Sequence, residues 1–454
     1  MRSIIRKKVK HNAIELSSHF TYYSLIRFTM SSMLMMIFAS IYTVVDGFFV
    51  SNYVGSTPFS ALNLIVPFIM FFSAIGFMFG AGGSALVALT LGLGEEKKAN
   101  GIFSFIIYTT LGLGILLSII GFIFTPQVAV LLGASDEMLP YCIIYARVSF
   151  VGLPAFMLQN CFQSFMITAE RPQLGLKITL IAGITNMILD ALFMGFFGWG
   201  LWSAALATIT GQFIGGLVPL FYFFRPNGSK LRLGKPLLDF SALGKAVVNG
   251  SSEFCSNVSM SIVNMLYNFQ LMKFAGEQGV SAYGIIMYTN FVFIGIFMGY
   301  SMGVAPVAGY NLGAGNYDEL KNVFKRSIKL VAGACFVMTV VSLLAAGFMA
   351  GIFAKNDAGL YEMTRHAILI YSIAYLFVGW SVFSSAFFTG LNNGVISAAI
   401  SFLRTLAFQV IAVLILPVFF GLNGVWAAIV VAEGMAFVFS LRCLLKYRNR
   451  YHYV

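Results

Sequence analysis

Runs of apolar residues recur along the whole of this 454-residue chain, and they limit its fold more than any other feature. A run of about 20 apolar residues spans the hydrocarbon core of a bilayer as a helix. The chain has twelve such runs, at residues 25–46, 58–91, 101–125, 139–168, 174–196, 200–224, 245–272, 280–310, 328–353, 366–389, 395–419 and 424–445. The short segments of alternating polarity that a membrane β-barrel requires are absent from this pattern. We therefore predict an all-α polytopic membrane protein with twelve transmembrane helices.

The basic residues indicate a membrane topology rather than a nucleic-acid partner, although the net charge is +12. If the N-terminus is inside, 22 of the 28 Lys and Arg residues fall in inside segments, and only Lys273, Lys355 and Arg365 fall outside. Such an excess of basic residues on one side is the positive-inside pattern. We expect a multi-pass protein of the cell membrane, inner or plasma, with both termini cytoplasmic.

The chain contains an internal repeat. Residues 46–94 overlay residues 267–315 without a gap at an offset of 221, and 11 of these 49 positions are identical. Each copy ends its second span with a similar stretch, LGLGEEKK at 91–98 and LGAGNYDELK at 312–321. An even number of spans in each repeat keeps both halves in the same orientation, so a pseudo-two-fold axis along the membrane normal relates them.

The repeat predicts two six-helix bundles. The expected organisation is a cytoplasmic segment at 1–20, an N-terminal bundle at 21–224, a cytoplasmic linker at 225–244, a C-terminal bundle at 245–445 and a cytoplasmic tail at 446–454. Two-bundle proteins of this kind are typically secondary transporters with the pathway between the bundles.

Four sequence motifs, in the same order along the chain, resemble those of a known protein family. They are VVDGFFVSNYVG in span 1, GAGGSALVALTLGLGEEKKA at the end of span 2, NMILDALFMGFFGWGLWSAALATITGQ across spans 5 and 6, and GVAPVAGYNLGAGNYDE in span 8. With these motifs the chain resembles the multidrug and toxic compound extrusion (MATE) transporters over residues 20–445. The resemblance implies an antiporter that admits Na⁺ or H⁺ and exports amphipathic, often cationic, drug-like compounds by alternating access. It also implies a V-shaped pair of bundles that alternates between outward-open and inward-open states. The alternative is a flippase of the same superfamily for lipid-linked oligosaccharide or peptidoglycan precursors.

Four acidic residues lie deep in predicted spans: Asp46, Asp190, Glu253 and Glu433. A carboxylate at the bilayer centre costs about 2.5–3.5 kcal/mol on insertion scales, so such residues are retained where they face water, a partner or an ion. Asn186 precedes Asp190 by four residues and therefore shares its helical face. This spacing brings an amide oxygen and a carboxylate toward one point.

The resemblance implies a cation-binding site formed by Asp46, Asn186, Asp190 and Thr208. Carboxylate, amide and hydroxyl oxygens are hard ligands suited to Na⁺, whereas two adjacent buried carboxylates can share a proton. The sequence leaves both ions open. It also leaves open a structural role, in which Asn186 and Asp190 only bridge helices by hydrogen bonds.

The other intramembrane candidates have weaker signals. Glu253 is a candidate for substrate binding or coupling, or for a polar residue at the mouth of the cleft. Arg404 and Glu433 form a possible buried ion pair, because pairing lowers the cost of burying both charges. Its role is structural, or one in gating or coupling. Pro306 is a candidate hinge, since a proline frees a carbonyl within its span, and the alternative is a fixed packing kink.

The expected partners are small amphipathic organic substrates and membrane lipid. Met33, Met36, Met260 and Tyr288 are candidates to line the substrate cleft, because methionine and aromatic side chains suit apolar cations. No nucleic acid and no obligate protein partner is implied. The stretch GLGEEKK does not fit a phosphate-binding loop, and no metal or nucleophile motif is present, so we expect no cofactor, no metal beyond Na⁺ at the cation site, and no enzymatic activity.

Overall fold

The computed structural model describes residues 14–54, 56–353 and 357–454. The basic residues Arg2, Arg6, Lys7, Lys8, Lys10 and Lys355, which contributed to the topology prediction, lie outside the described residues. In the described part of the chain all regular structure is helical.

The first half of the chain forms six helices. They are α1 (Tyr22–Tyr53), α2 (Ser56–Gly92), α3 (Glu96–Leu131), α4 (Leu139–Thr168), α5 (Pro172–Asp190), which continues into a π-helical turn (Ala191–Phe196), and α6 (Leu201–Phe224). Residues 225–239 follow α6 as a linker without helix.

The second half begins with one very long helix. Its elements are α7 (Phe240–Gly313), α8 (Tyr317–Phe353), α9 (Ala358–Tyr371) with a 3₁₀ turn (Ser372–Ala374), α10 (Tyr375–Gly390), α11 (Gly394–Phe402) with a π-helical turn (Leu403–Ala407), and α12 (Phe408–Tyr451). Side-chain caps start several of these helices: the Asp239 carboxylate accepts from the Ala242 N–H at 3.0 Å, and Asp357 caps α9 in the same way.

Helix α7 consists of two spans. A straight helix of its 74 residues would be about 110 Å long, far more than a bilayer requires. The backbone reverses at Gly276, which has φ 61° and ψ −151°. Beyond this turn the Tyr283 hydroxyl donates to Asn264 Oδ1 at 2.9 Å, and the Tyr267 and Tyr283 rings stack at 5.2 Å. The two arms therefore lie side by side, as a hairpin.

Helix α12 turns in the same way at Gly421, where φ is 56°. Ten helices of the described chain are long and apolar enough to cross a membrane, and α7 and the stretch from Gly394 to Tyr451 are two of these ten. Because each of these two contains a reversal, they supply four spans. This arrangement confirms the prediction of an all-α polytopic membrane protein.

The two halves pack against each other near the end of the molecule where the linker lies, which we call the linker end. Gly82 of α2 contacts the backbone of Ala246, and Gly250 of α7 contacts the backbone of Met78. Glycine at these positions lets the helices approach to backbone contact. On the second arm of α7, Gly299 packs on the backbone of Met33 in α1. The linker end is therefore closed by direct helix-to-helix contact between the halves.

Candidate cation-binding site

Three helices of the first half carry the four residues of the predicted cation site. Asp46 lies in the part of α1 away from the linker end, Asn186 and Asp190 lie in the last two turns of α5, and Thr208 lies in α6. Asn186 is 4% exposed and Asp190 is fully buried. The π-helical turn begins directly after Asp190, and such turns are frequent at functional sites.

The structure brings these side chains together. The carboxyl groups of Asp46 and Asp190 lie within hydrogen-bonding reach of each other, and the Asn186 amide lies next to Asp190. Two carboxylates at this separation repel each other strongly in a buried place unless a proton or a cation lies between them.

Six buried polar atoms of the four site residues have no hydrogen-bond partner among the described residues. Six buried atoms accept or donate no hydrogen bond: Asp46 Oδ1, Asn186 Oδ1 and Nδ2, both carboxylate oxygens of Asp190, and Thr208 Oγ1. Burying a polar group without a partner costs on the order of 1–3 kcal/mol, and each such group in a folded protein requires an explanation. Five of the six are oxygens, so the cluster has the ligand set of a hard monovalent cation or of a shared proton.

Two tyrosines that the sequence did not suggest belong to the same cluster. The Tyr42 hydroxyl lies within electrostatic range of Asp46. The Tyr145 hydroxyl in α4 lies within electrostatic range of both Asp46 and Asp190. Tyr42 precedes Asp46 by four residues on α1, and this spacing could have identified it. No local pattern marks Tyr145, because tertiary packing alone brings it to the site.

In the second half, Arg404 and Glu433 form an ion pair. Arg404 Nε donates to Glu433 Oε1 at 3.1 Å and to Oε2 at 3.0 Å, and the two side chains are 13% and 3% exposed. Glu253 is half-buried on the first arm of α7 and lies within electrostatic range of Arg404. The structure therefore pairs Arg404 with Glu433 and leaves Glu253 outside this ion pair.

The remaining candidates are dispersed. Met33 and Met36 pack in the contact between α1 and the second arm of α7, beside Gly299 and Gly295. Met260 and Tyr288 lie on opposite arms of α7 and are exposed. Pro306 is buried within the second arm, which stays helical around it as far as Gly313. Its role as a hinge remains a prediction.

Described residues contain no group of three or more His, Cys, Asp or Glu side chains that could hold a metal ion. The first-half site offers only two carboxylates, which matches a monovalent cation better than a divalent one. Two bundles of membrane-spanning helices, one of which holds the buried Asp190 next to the half-buried Asp46, define the class of a secondary membrane transporter.

Comparison with known proteins then identifies the family. The MatE family model matches residues 31–192 and 254–415, once in each half. The chain belongs to the MatE family of multidrug efflux transporters. This result confirms two predictions: the resemblance to the family, and a transporter rather than an enzyme. Transporters of this family need no cofactor. The chain is a multi-pass membrane protein.

Full-length relatives agree with this assignment. The chain is 27% identical over 435 residues to the multidrug export protein MepA of Staphylococcus haemolyticus strain JCSC1435, and 25% identical over 438 residues to MepA of Staphylococcus aureus strain N315. Each match covers 94% of both chains.

Solved structures show the same fold. A structure described as the outward-facing conformation of a multidrug resistance MATE family transporter of the MOP superfamily superposes with a TM-score of 0.87. It is 22% identical in sequence, and the match covers 94% of this chain and 96% of that chain. A crystal structure of MATE in the straight conformation also superposes with a TM-score of 0.87 at 22% identity, covering 94% of this chain and 95% of that chain.

Proposed function

We propose that this protein is an antiporter that couples the inward movement of Na⁺ or H⁺ to the export of amphipathic, often cationic, drug-like compounds. Both termini and the linker then lie in the cytoplasm, and the linker end is the cytoplasmic end. The multidrug export function of the MepA relatives supports the substrate class, and the excess of basic residues in the linker-end segments supports the orientation.

One observation carries the coupling proposal. The four residues that the resemblance implies as a cation site are the same residues whose buried atoms lack protein partners. A structural role as a helix bridge predicts hydrogen bonds between these side chains and neighbouring helices, whereas the six atoms have no hydrogen-bond partner within the described chain. The carboxyl groups of Asp46 and Asp190 approach each other with acceptor oxygens, which bind one another only through an added proton or cation. A bound cation would give the five oxygens a common partner, and a shared proton would join the two carboxyl groups.

Helix α1 links the site to the contact between the halves. Asp46 lies toward one end of α1, and Met33 lies toward the other, against Gly299 of the second half. Between them, the Ser40 hydroxyl donates to the Phe291 carbonyl of the second half at 3.3 Å. Binding of a cation or a proton at Asp46 reduces the repulsion between the Asp46 and Asp190 carboxylates at one end of α1. Binding can therefore shift the stability of the closed linker end, where the other part of α1 contacts the second half. This is the coupling that alternating access requires.

The substrate is proposed to bind between the halves, with Glu253 as the acidic contact for a cationic group. Glu253 is partly exposed, and Met260 lies two turns further along the same helix. An acidic side chain next to soft apolar side chains suits a lipophilic cation.

The flippase alternative requires a basic cleft, and the described residues form none from the three intramembrane arginines. Arg404 is paired with Glu433, the Arg147 guanidinium lies over the Phe122 ring at 5.1 Å, and Arg27 is exposed on α1. The contacts of Arg404 and Arg147 share no residue, and no described contact brings two of the three arginines together.

The test is transport by the purified protein in proteoliposomes, with a pH gradient alone and then with a Na⁺ gradient alone. We expect one of the two gradients to drive efflux of an ethidium-like dye. Asp190→Asn should abolish this efflux, whereas the same substitution at the exposed loop residue Asp136 should leave it unchanged. Dye efflux that persists in Asp190→Asn would contradict the proposed site.

A further inference from the structure

The second half contains a polar cluster on the three helices that correspond to those of the cation site. The repeat pairs Asp46 of α1 with Tyr267 of the first arm of α7. Helix α5 corresponds to the span from α11 into α12, which carries Arg404 and Gln409, and α6 corresponds to the second arm of α12, which carries Glu433. Both halves have a π-helical turn in the corresponding span, after Asp190 in one and around Arg404 in the other.

The two clusters differ in how their polar atoms are satisfied. In the second half the Tyr267 hydroxyl donates to Gln409 Oε1 at 3.0 Å, and Arg404 Nε donates to both oxygens of Glu433. None of these four side chains is among the described residues that have a buried polar atom without a partner. In the first half every one of the four site residues has such an atom.

The charges follow the same contrast. The first-half cluster has two carboxylates, and no described basic side chain forms an ion pair with either of them. In the second half the Arg404 guanidinium neutralises Glu433. This positive charge is covalently part of the protein, unlike a free cation. A buried ion pair with one partner removed leaves an uncompensated charge. A free cation would therefore have to displace Arg404 before it could bind at Glu433.

We propose that Arg404 is a tethered cation, which takes the place in the second half that the exchangeable cation takes in the first. The transporter consequently has one exchangeable cation site, in the first half. Arg404 limits the number to one because it occupies the corresponding position in the second half. The inference rests on the proposed function in one respect, namely that the first-half site exchanges a cation. Glu253, which lies within electrostatic range of Arg404 but is partly exposed, remains available to the substrate.

The test counts bound cations rather than transport. Purified protein is dialysed to equilibrium against ²²Na⁺, and the protons taken up between about pH 8 and pH 6 are measured in parallel. Arg404→Met should bind one cation more than the wild type, as Na⁺ or as a proton at Glu433. The double variant Arg404→Met, Glu433→Met removes both charges and should bind the same number as the wild type.

The double variant keeps the inference testable if Arg404→Met fails to fold, because it leaves no lone charge at the position of the ion pair. Two results would overturn the inference: Arg404→Met that folds and binds no additional cation, or a double variant that binds one cation fewer than the wild type. Asp190→Asn reports separately on the proposed function. If it leaves the wild-type number unchanged, the first-half site fails, and the gain in Arg404→Met can still be read.

Discussion

Glycine residues determine how closely the two halves approach at the linker end. Gly250 contacts the Met78 carbonyl of α2, and Gly82 contacts the Ala246 carbonyl in return. Any larger residue at either position forces these two helices apart. The requirement is for space alone, because both glycines have ordinary helical backbone angles.

Gly250→Ala should weaken the closed linker end by about 1–3 kcal/mol, because the added methyl group meets backbone that cannot move aside. We expect faster hydrogen exchange in residues 78–92 and slower dye efflux. Gly244→Ala is the matched control, since it lies on the same helix and a methyl group there meets no atom within 4 Å. Equal exchange rates in the two variants would show that this contact does not stabilise closure.

Gly276 serves a different purpose, because its backbone angles are accessible almost only to glycine. Gly276→Ala should lower the stability by about 1–3 kcal/mol through backbone strain. Gly284→Ala is the control on the same hairpin: it is helical, has no atom within 4 Å of the new methyl group, and should be neutral or stabilising by about 0.5–1 kcal/mol. Thermal unfolding in detergent measures both. If both variants unfold at the wild-type temperature, the turn does not depend on glycine.

At the scale of elements, the segment before α1 connects the two halves. We call residues 14–20 the strap. The Leu16 N–H donates to Glu170 of the first half at 2.9 Å, and its carbonyl accepts from Asn311 of the second half at 3.4 Å. The Phe20 N–H donates to the buried carboxylate of Glu319 at 2.8 Å, and its ring is fully buried. The strap therefore spans the closed linker end.

Asn322→Ala should loosen the strap, because Asn322 donates to the Phe20 carbonyl and to Glu319, each at 2.9 Å. Loss of bonds to a buried carbonyl and a carboxylate costs about 1–3 kcal/mol, so the amides of Leu16 and Phe20 should exchange roughly tenfold faster. Ser17→Ala alters an exposed strap residue and should have no such effect. Unchanged exchange in Asn322→Ala would mean that the hydrogen bonds of Asn322 do not hold the strap.

Local sequence patterns predicted the spans well but not the contacts at their ends. The twelve apolar runs correspond to the helices, yet α8 begins at Tyr317 rather than near 328, because its charged first turns continue the helix beyond the apolar run. The α7 helix begins five residues before the predicted span, at the Asp239 cap. Neither π-helical turn was predicted, since an inserted residue in a uniformly apolar helix leaves no mark on the hydrophobic pattern.

For the site, spacing suggested that Asn186 and Asp190 converge, and family resemblance added Asp46 and Thr208. Only the folded structure shows that Tyr145 joins them, and that the second half replaces the carboxylate pair by an internal ion pair. The strap was also beyond prediction, because its partners are 154 and 299 residues away in sequence. Long-range contacts of this kind depend on the packing of all the spans together.

At the scale of the whole molecule, the closed linker end and a polar face on α7 indicate where water enters. Asn257, Ser261, Asn264 and Asn268 recur at intervals of four, three and four residues, which places them on one side of the first arm. Such a face on a membrane helix borders water or a polar neighbour rather than lipid, and Asn264 has such a neighbour in Tyr283 of the second arm. This face lies on the part of the helix away from the linker end.

If the linker end is cytoplasmic, Asn268→Cys should be labelled from outside intact cells by a membrane-impermeant maleimide, in a variant whose five native cysteines are replaced by serine. Lys235→Cys, in the linker, should be labelled only after permeabilisation. Phe269→Cys is the control for lipid exposure: it is exposed but lies off the polar face, and it should react slowly because thiolates form poorly in hydrocarbon. Labelling of Lys235→Cys in intact cells would reverse the proposed orientation, and fast labelling of Phe269→Cys would remove the distinction between a water-filled cleft and a lipid-facing surface.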